Sequence, residues 1–216
     1  MKSLKLFLML LISLSTAIFA GDDKSNVTAE EAINKLKLGN ERFVNQKTIK
    51  PHQSIDDVMR VAKGQHPFAI IVSCSDSRVP PEILFDQGFG DIFVIRTAGQ
   101  VIDSIEIGSI EYAVEHLHSP LVVVLGHSKC GAVTAANSDG EVDGHLHKIV
   151  KDIRSNISSQ TGRKPNSLDE AINANVNALV KTLLNSEPII KEHHEKGKVK
   201  IVPAIYDLDS GKVSFN

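Results

Sequence analysis

Phe68-Ala69-Ile70-Ile71-Val72-Ser73, followed at once by Cys74-Ser75-Asp76-Ser77-Arg78, decides the fold. The first six residues are apolar almost throughout and rich in β-branched side chains. They do not alternate with polar ones, so the segment reads as a strand covered on both faces, the habit of a parallel sheet. Three further runs have the same character: Ile92-Phe93-Val94-Ile95, Leu121-Val122-Val123-Val124-Leu125-Gly126, and Val199 to Tyr206 around Ile201-Val202-Pro203. Between them lie helical patterns, over about 105–117, from Cys130 through Ala136, and over about 168–186 with Ser167 as its N-cap. Upstream, Thr28-Ala29-Glu30-Glu31 fits a capping box for a helix over roughly 28–45, and a short helix near 55–63 follows. Strands alternating with helices predict one α/β domain, with a mainly parallel central sheet of four to five strands flanked by helices. The polar stretch 155–167, with Gly162 and Pro165, reads as a loop. Asp209-Ser210-Gly211 reads as a turn before a terminal hairpin or extended tail.

The chain has 216 residues, 42% hydrophobic and 23% charged, an ordinary globular mix that excludes wholesale disorder. Its formal net charge of −2 argues against nucleic acid or an anionic membrane surface as the main partner. Residues 1–20 read as a secretory signal peptide: Lys2 and Lys5, the apolar run Leu6 to Leu14, then small residues up to Ala20. Cleavage near Ala20, with Ala17 as the rival position, leaves residues 21–216 as the domain and no membrane segment. Both lysines leave with the peptide and no acid does, so −2 becomes −4. Such export places the protein in a bacterial periplasm.

Cys74 and Cys130 are the only cysteines. Cys74 follows the first strand directly. His127 follows the third, and Cys130 stands three residues on, where a helix begins. Sites in open α/β sheets gather at the carboxyl ends of strands, where strand order reverses, so this topology brings the three together. Two thiolates and an imidazole form a zinc ligand set with one position left for water. A disulfide, fitting for an exported chain, and two inert core thiols remain open alternatives at this level. Asp76 and Arg78, two residues apart, have the composition of a bidentate carboxylate–guanidinium pair. Next to zinc, that carboxylate would either orient the attacking water or bind the metal and close the site. His145, His147, His193 and His194 read as solvated side chains, and Asn156-Ile157-Ser158 matches a glycosylation triplet of the kind that arises by chance.

Cys74-Ser75-Asp76-Ser77-Arg78 and Gly126-His127-Ser128-Lys129-Cys130-Gly131 together resemble the two signatures of β-class carbonic anhydrases. Gly39-Asn40-Glu41-Arg42-Phe43, Asp91 to Gly99 and Glu111-Tyr112-Ala113 extend the resemblance over about residues 28–215. It implies reversible hydration of CO2 to bicarbonate and a proton, with one Zn2+ per chain held by Cys74, His127 and Cys130. Asp76 and Arg78 become the catalytic dyad, with Asp76 a metal ligand only in a closed form. Gln65, Phe93 and Tyr112 become substrate-pocket residues at the interface of a homodimer or a dimer of dimers, some of them serving a partner's zinc. Ile71 stands where the bicarbonate-regulated subgroup has tryptophan, so the resemblance implies the open, plant-like form. Thr97 and Pro203 replace the usual Asn and Gly; Thr97 puts a pocket-wall hydrogen bond in question, and Pro203 points to an interruption or edge position in the last strand. Rival functions are hydrolysis of COS or CS2 on the same fold, and a zinc-stabilised protein without catalysis.

Overall fold

The apolar runs become the strands of one sheet. A computed structural model describes residues 27–215, so the expected signal peptide lies outside the described residues. In chain order the elements are α1 (Ala29–Val44), α2 (Ile55–Val61), β1 (Ala69–Cys74), α3 (Pro81–Leu84), β2 (Ile92–Thr97), a 3₁₀ turn (Ala98–Gln100) and α4 (Ser104–Glu115). Then come β3 (Leu121–His127), α5 (Gly131–Asn137), α6 (Leu146–Thr161), α7 (Leu168–Leu184), α8 (Ile189–Glu195), β4 (Lys200–Tyr206) and β5 (Val213–Phe215). The strand order is β2-β1-β3-β4-β5, parallel except for β5, which returns antiparallel to β4.

β1 and β3 lie inside the sheet and every residue of both is buried, which explains why they do not alternate. Ile71, Val123 and Leu125 pack with Leu36 of α1 and with Leu84 and Phe85 on one face. Ile70, Val72, Val122 and Val124 pack against α4, α7 and α8 on the other. A third cluster, from α5, α6 and α7, covers the carboxyl ends of the strands and includes Cys74 and Cys130. The chain leaves β1 for β2 on one side and then crosses to β3 on the other. The carboxyl ends of β1 and β3 therefore flank the crevice where strand order reverses. Gly126 lets α7 sit down on β3 there, because a Cβ would lie 2.6 Å from Val176 Cγ2.

The stretch 155–167 departs from its reading as a loop. α6 runs through it to Thr161 and stops at Gly162, whose φ of 63° makes a left-handed C-cap. The helix is held by Val150, Ile153 and Ile157, a stripe at 3- and 4-residue spacing within a polar composition. α3 and α8 are also additions. On α8, His193 is not solvated: its Nε2 meets Glu115 Oε2 at 2.5 Å. Pro203 does not interrupt β4. It pairs with Val124 of β3, and β5 reaches only from Ala204 onward, so the other edge of β4 is open at the proline.

Asp86 anchors α1 to the β1–β2 connection. Its buried carboxylate accepts from Arg42 Nε at 2.6 Å and from the backbone N–H of Ile49 and Lys50 at 3.1 and 3.0 Å. Burial pushes its carboxyl up, but Arg42 and the two backbone donors outweigh this and leave it below the usual range. A depressed carboxyl stabilises the fold above about pH 4, the unfolded value, and that stability is lost as pH falls through the folded value. Asp86→Asn is therefore expected to cost on the order of 2–3 kcal/mol at neutral pH. Urea unfolding should show the gap from wild type closing in acid.

Candidate metal centre

Three buried donors meet at the strand switch. Cys74 is the last residue of β1, His127 the last of β3, and Cys130 the N-cap of α5. Lys129, with φ 56°, turns the chain so that Cys130 comes back towards His127. One Cys or His donor atom from each residue lies within 4.8 Å of the other two, and no other group of three possible metal donors forms among the described residues. Both cysteines are free, so the disulfide alternative is not realised.

The imidazole orientation is fixed from outside. His127 Nδ1 lies 2.9 Å from the carbonyl of Ser128, an acceptor only, so the proton belongs on Nδ1. That leaves Nε2 as a bare acceptor, fully buried and without a partner among the described residues. A buried unpaired acceptor of this kind costs about 1–3 kcal/mol unless a cation takes its lone pair. Cys74 Sγ faces the backbone N–H of Asp76 at 3.4 Å and of Gly99 at 3.3 Å. The two sulfurs share a proton unequally. The Cys130 thiol, together with those N–H groups, draws Cys74 well below its usual range, although burial opposes it. The Cys74 thiolate and burial push Cys130 up. A soft thiolate, a second thiol and an imidazole lone pair converging in a buried crevice fit zinc.

Asp76 and Arg78 lie beside these donors. Arg78 Nε donates to Asp76 Oδ1 at 2.9 Å and Nη2 to Oδ2 at 2.7 Å, a bidentate pair. Arg78 Nη2 also reaches the Lys129 carbonyl at 3.3 Å, which ties the loop after β1 to the loop after β3. Asp76 Oδ2 is 4.0 Å from His127 Nε2. Arg78 holds the Asp76 carboxyl well below the usual carboxylate range, so it is ionised throughout the neutral region.

Gln65, Phe93 and Tyr112 are not brought to these donors within one chain. Gln65 is exposed in the loop between α2 and β1. Phe93 pairs with Ile70, four residues before Cys74, or about 13 Å along the strand. The Phe93 and Tyr112 rings are 6.4 Å apart, and Tyr112 is 47% exposed. The Thr97 hydroxyl is spent on its own loop, donating to Val101 O at 2.5 Å. A wide groove bounded by Glu115, His118, His194 and Lys200 lies at the opposite, amino end of the strands.

Sequence reasoning missed Arg96. From β2 it donates Nε to the Cys74 carbonyl at 3.1 Å and Nη2 to the Asp76 carbonyl at 2.7 Å. One guanidinium thus grips the backbone of a metal donor and of the dyad carboxylate. The available signal was a lone charge at the end of an otherwise apolar strand. A single ammonium does not reproduce that fork. Arg96→Lys is expected to keep zinc and lose about 10- to 100-fold in kcat, read by stopped-flow turnover on samples of known metal content.

Fold and site together define an α/β protein with a Cys₂His donor set, able to hold a metal, at the carboxyl edge of a parallel sheet. The sequence model of the carbonic anhydrase family matches residues 69–213. Carbonic anhydrase 2 of Mycobacterium tuberculosis H37Rv is 43% identical over 191 residues, 87% of this chain and 92% of the relative. The carbonic anhydrase of Mycolicibacterium smegmatis is 44% identical over 186 residues, 83% of this chain and 89% of the relative. Among solved structures, one from work on two tetrameric β-carbonic anhydrases of Sordaria macrospora superposes with a TM-score of 0.66 at 29% identity, covering 82% of this chain and 92% of that one. The chain belongs to the β-carbonic anhydrase family.

Proposed function

We propose that this protein is a zinc-dependent carbonic anhydrase that reversibly hydrates CO2 to bicarbonate and a proton. The observation that carries this reading is the convergence of Cys74, His127 and Cys130 on one buried point, with the ionised Asp76 4.0 Å from His127 Nε2. Bound there, zinc supplies a water acidic enough to act as a nucleophile near neutral pH. The chain's own groups supply the rest. Cys74, Cys130 and His127 Nε2 would hold the metal, and the Ser128 carbonyl keeps the imidazole in the correct tautomer. Asp76 accepts a hydrogen bond from the attacking water and turns its lone pair towards the carbon of CO2. Arg78 keeps that carboxylate ionised and aimed, and by engaging both of its oxygens would leave the fourth metal position to water, the open form.

Gln65, Phe93 and Tyr112 act in this reading across a subunit boundary, completing the pocket of a partner subunit in a homodimer or dimer of dimers. Two surfaces support it. α2 buries no residue, with Ile55 71% and Met59 58% exposed. β2 is an edge strand carrying Phe93. Residues 1–20 act as a signal peptide, and residues 21–216 work in the periplasm.

Stopped-flow CO2 hydration, with zinc content measured on the same sample, tests the function. The expected result is one zinc per chain and rapid turnover. A zinc-loaded protein that leaves CO2 at its uncatalysed rate would sink the proposal, and turnover of COS instead would move the function to the sulfur analogues.

A further inference from the structure

Asn175 lies in the middle of α7, fully buried and far from the signatures in sequence. A polar side chain in that position requires partners, and it has two. Its Nδ2 donates to the Gly99 carbonyl at 3.0 Å, and its Oδ1 accepts from Asn156 Nδ2 of α6 at 2.9 Å. The amide orientation is unambiguous, because the Gly99 carbonyl only accepts. Gly99 is the residue whose N–H points at Cys74 Sγ. Its backbone is left-handed, φ 65°, and a Cβ there would lie 2.6 Å from Ile153 Cδ1. The loop thus adopts a conformation that only glycine takes easily, pressed by α6 from one direction and pinned by Asn175 through its carbonyl. The line Asn156, Asn175, Gly99, Cys74 is a continuous hydrogen-bonded path from two helices to a metal-binding sulfur.

We propose that Asn175 is a positioning residue for the metal centre: through the Gly99 carbonyl it holds the Gly99 N–H on Cys74 Sγ, and so sets how much charge that sulfur gives to zinc. This role rests on the metal-site reading above. An N–H aimed at a thiolate stabilises the sulfur lone pairs, and partners of this kind tune both metal affinity and electronic structure. Ile172, Val176 and Leu179 on the same helix already supply the packing of α7, so fold stability alone calls for an apolar residue at position 175 rather than an amide. Asn156, the first residue of the glycosylation triplet, already has its side-chain nitrogen engaged in this path.

The test substitutes cobalt for zinc in the purified protein and records the sulfur-to-cobalt charge-transfer band, alongside competitive zinc affinity. Asn175→Leu keeps the branched outline and the number of heavy atoms and removes both bonds. The band is expected to move to lower energy and zinc affinity to fall about tenfold. Asn156→Leu removes only the outer bond and should move the band in the same direction by less. Wild-type band and affinity in Asn175→Leu, with only a lower melting temperature, would assign Asn175 to core structure and overturn the role. If Asn175→Leu yields no soluble protein, Asn156→Leu decides: a shifted band supports the role, an unmoved band and unchanged affinity overturn it. A wild-type chain without any thiolate-to-cobalt band would overturn the metal-site reading itself, and this role with it.

Discussion

Cys74→Ser is expected to leave the protein folded, empty of zinc and inactive. Cys74 is the sulfur on which the local donors concentrate: the Cys130 thiol draws it below its usual range, and the backbone N–H groups of Asp76 and Gly99 point at it. A serine hydroxyl is neither soft nor ionised in this range, so the site loses its best ligand. Changing an outer partner of a metal ligand typically costs 10- to 100-fold in affinity, and losing the ligand itself is expected to cost more than about 100-fold. Cys130→Ser should behave alike, for a different reason. Cys130 is held as the thiol by the neighbouring thiolate, so zinc must displace its proton on binding. Removing that proton is easier as pH rises, so wild-type zinc affinity should fall steeply in acid, whereas Cys130→Ser is weak throughout. Metal analysis after dialysis reads the first effect. A melting temperature that zinc raises in wild type but not in the variants reads it again. Either variant retaining one zinc per chain would remove that cysteine from the ligand set.

The strands and the three donors were legible because their signals are local. A run such as Leu121 to Leu125 with no polar residue admits few readings, and Cys74 and His127 end their strands. What stayed hidden depends on contacts between distant segments. The last turns of α6, within 155–167, looked like a loop because the helix's apolar stripe, Val150, Ile153 and Ile157, is set in polar sequence, and only α5 and α7 packed beside it give that stripe a purpose. Arg96 and Asn175 act on backbone carbonyls, which carry no residue signature of their own. Gln65, Phe93 and Tyr112 entered through resemblance. One chain leaves them away from the donors, because the sheet fixes Phe93 four positions upstream of the Cys74 level.

Asp76→Asn should keep zinc and lose about 10²- to 10⁴-fold in kcat, the range carried by a positioned proton acceptor. The shapes are the same, but the hydrogen-bonding capacity is not. Both carboxylate oxygens now accept from Arg78, at 2.9 and 2.7 Å. In the variant one of those positions becomes an NH2 group facing a guanidinium donor, so the fork opens and the remaining oxygen loses its aim. The amide also lacks the charge that favours accepting from the attacking water. The pH profile provides a further check. Arg78 holds the Asp76 carboxyl well below the usual range, so it stays ionised across the neutral and mildly acid region. At full zinc content, a fall in wild-type activity between about pH 6 and 8 is then expected from the metal-activated water, not from protonation of Asp76. Arg78→Ala separates aim from charge. It leaves the carboxylate free, 4.0 Å from the lone pair of His127 Nε2, to swing onto the metal position. That variant is expected to bind zinc at least as tightly as wild type and still lose turnover, with Asp76 as a fourth ligand in its crystal structure. If Arg78→Ala instead kept wild-type kcat, Asp76 would need no partner to be held open, and the dyad would reduce to a single carboxylate.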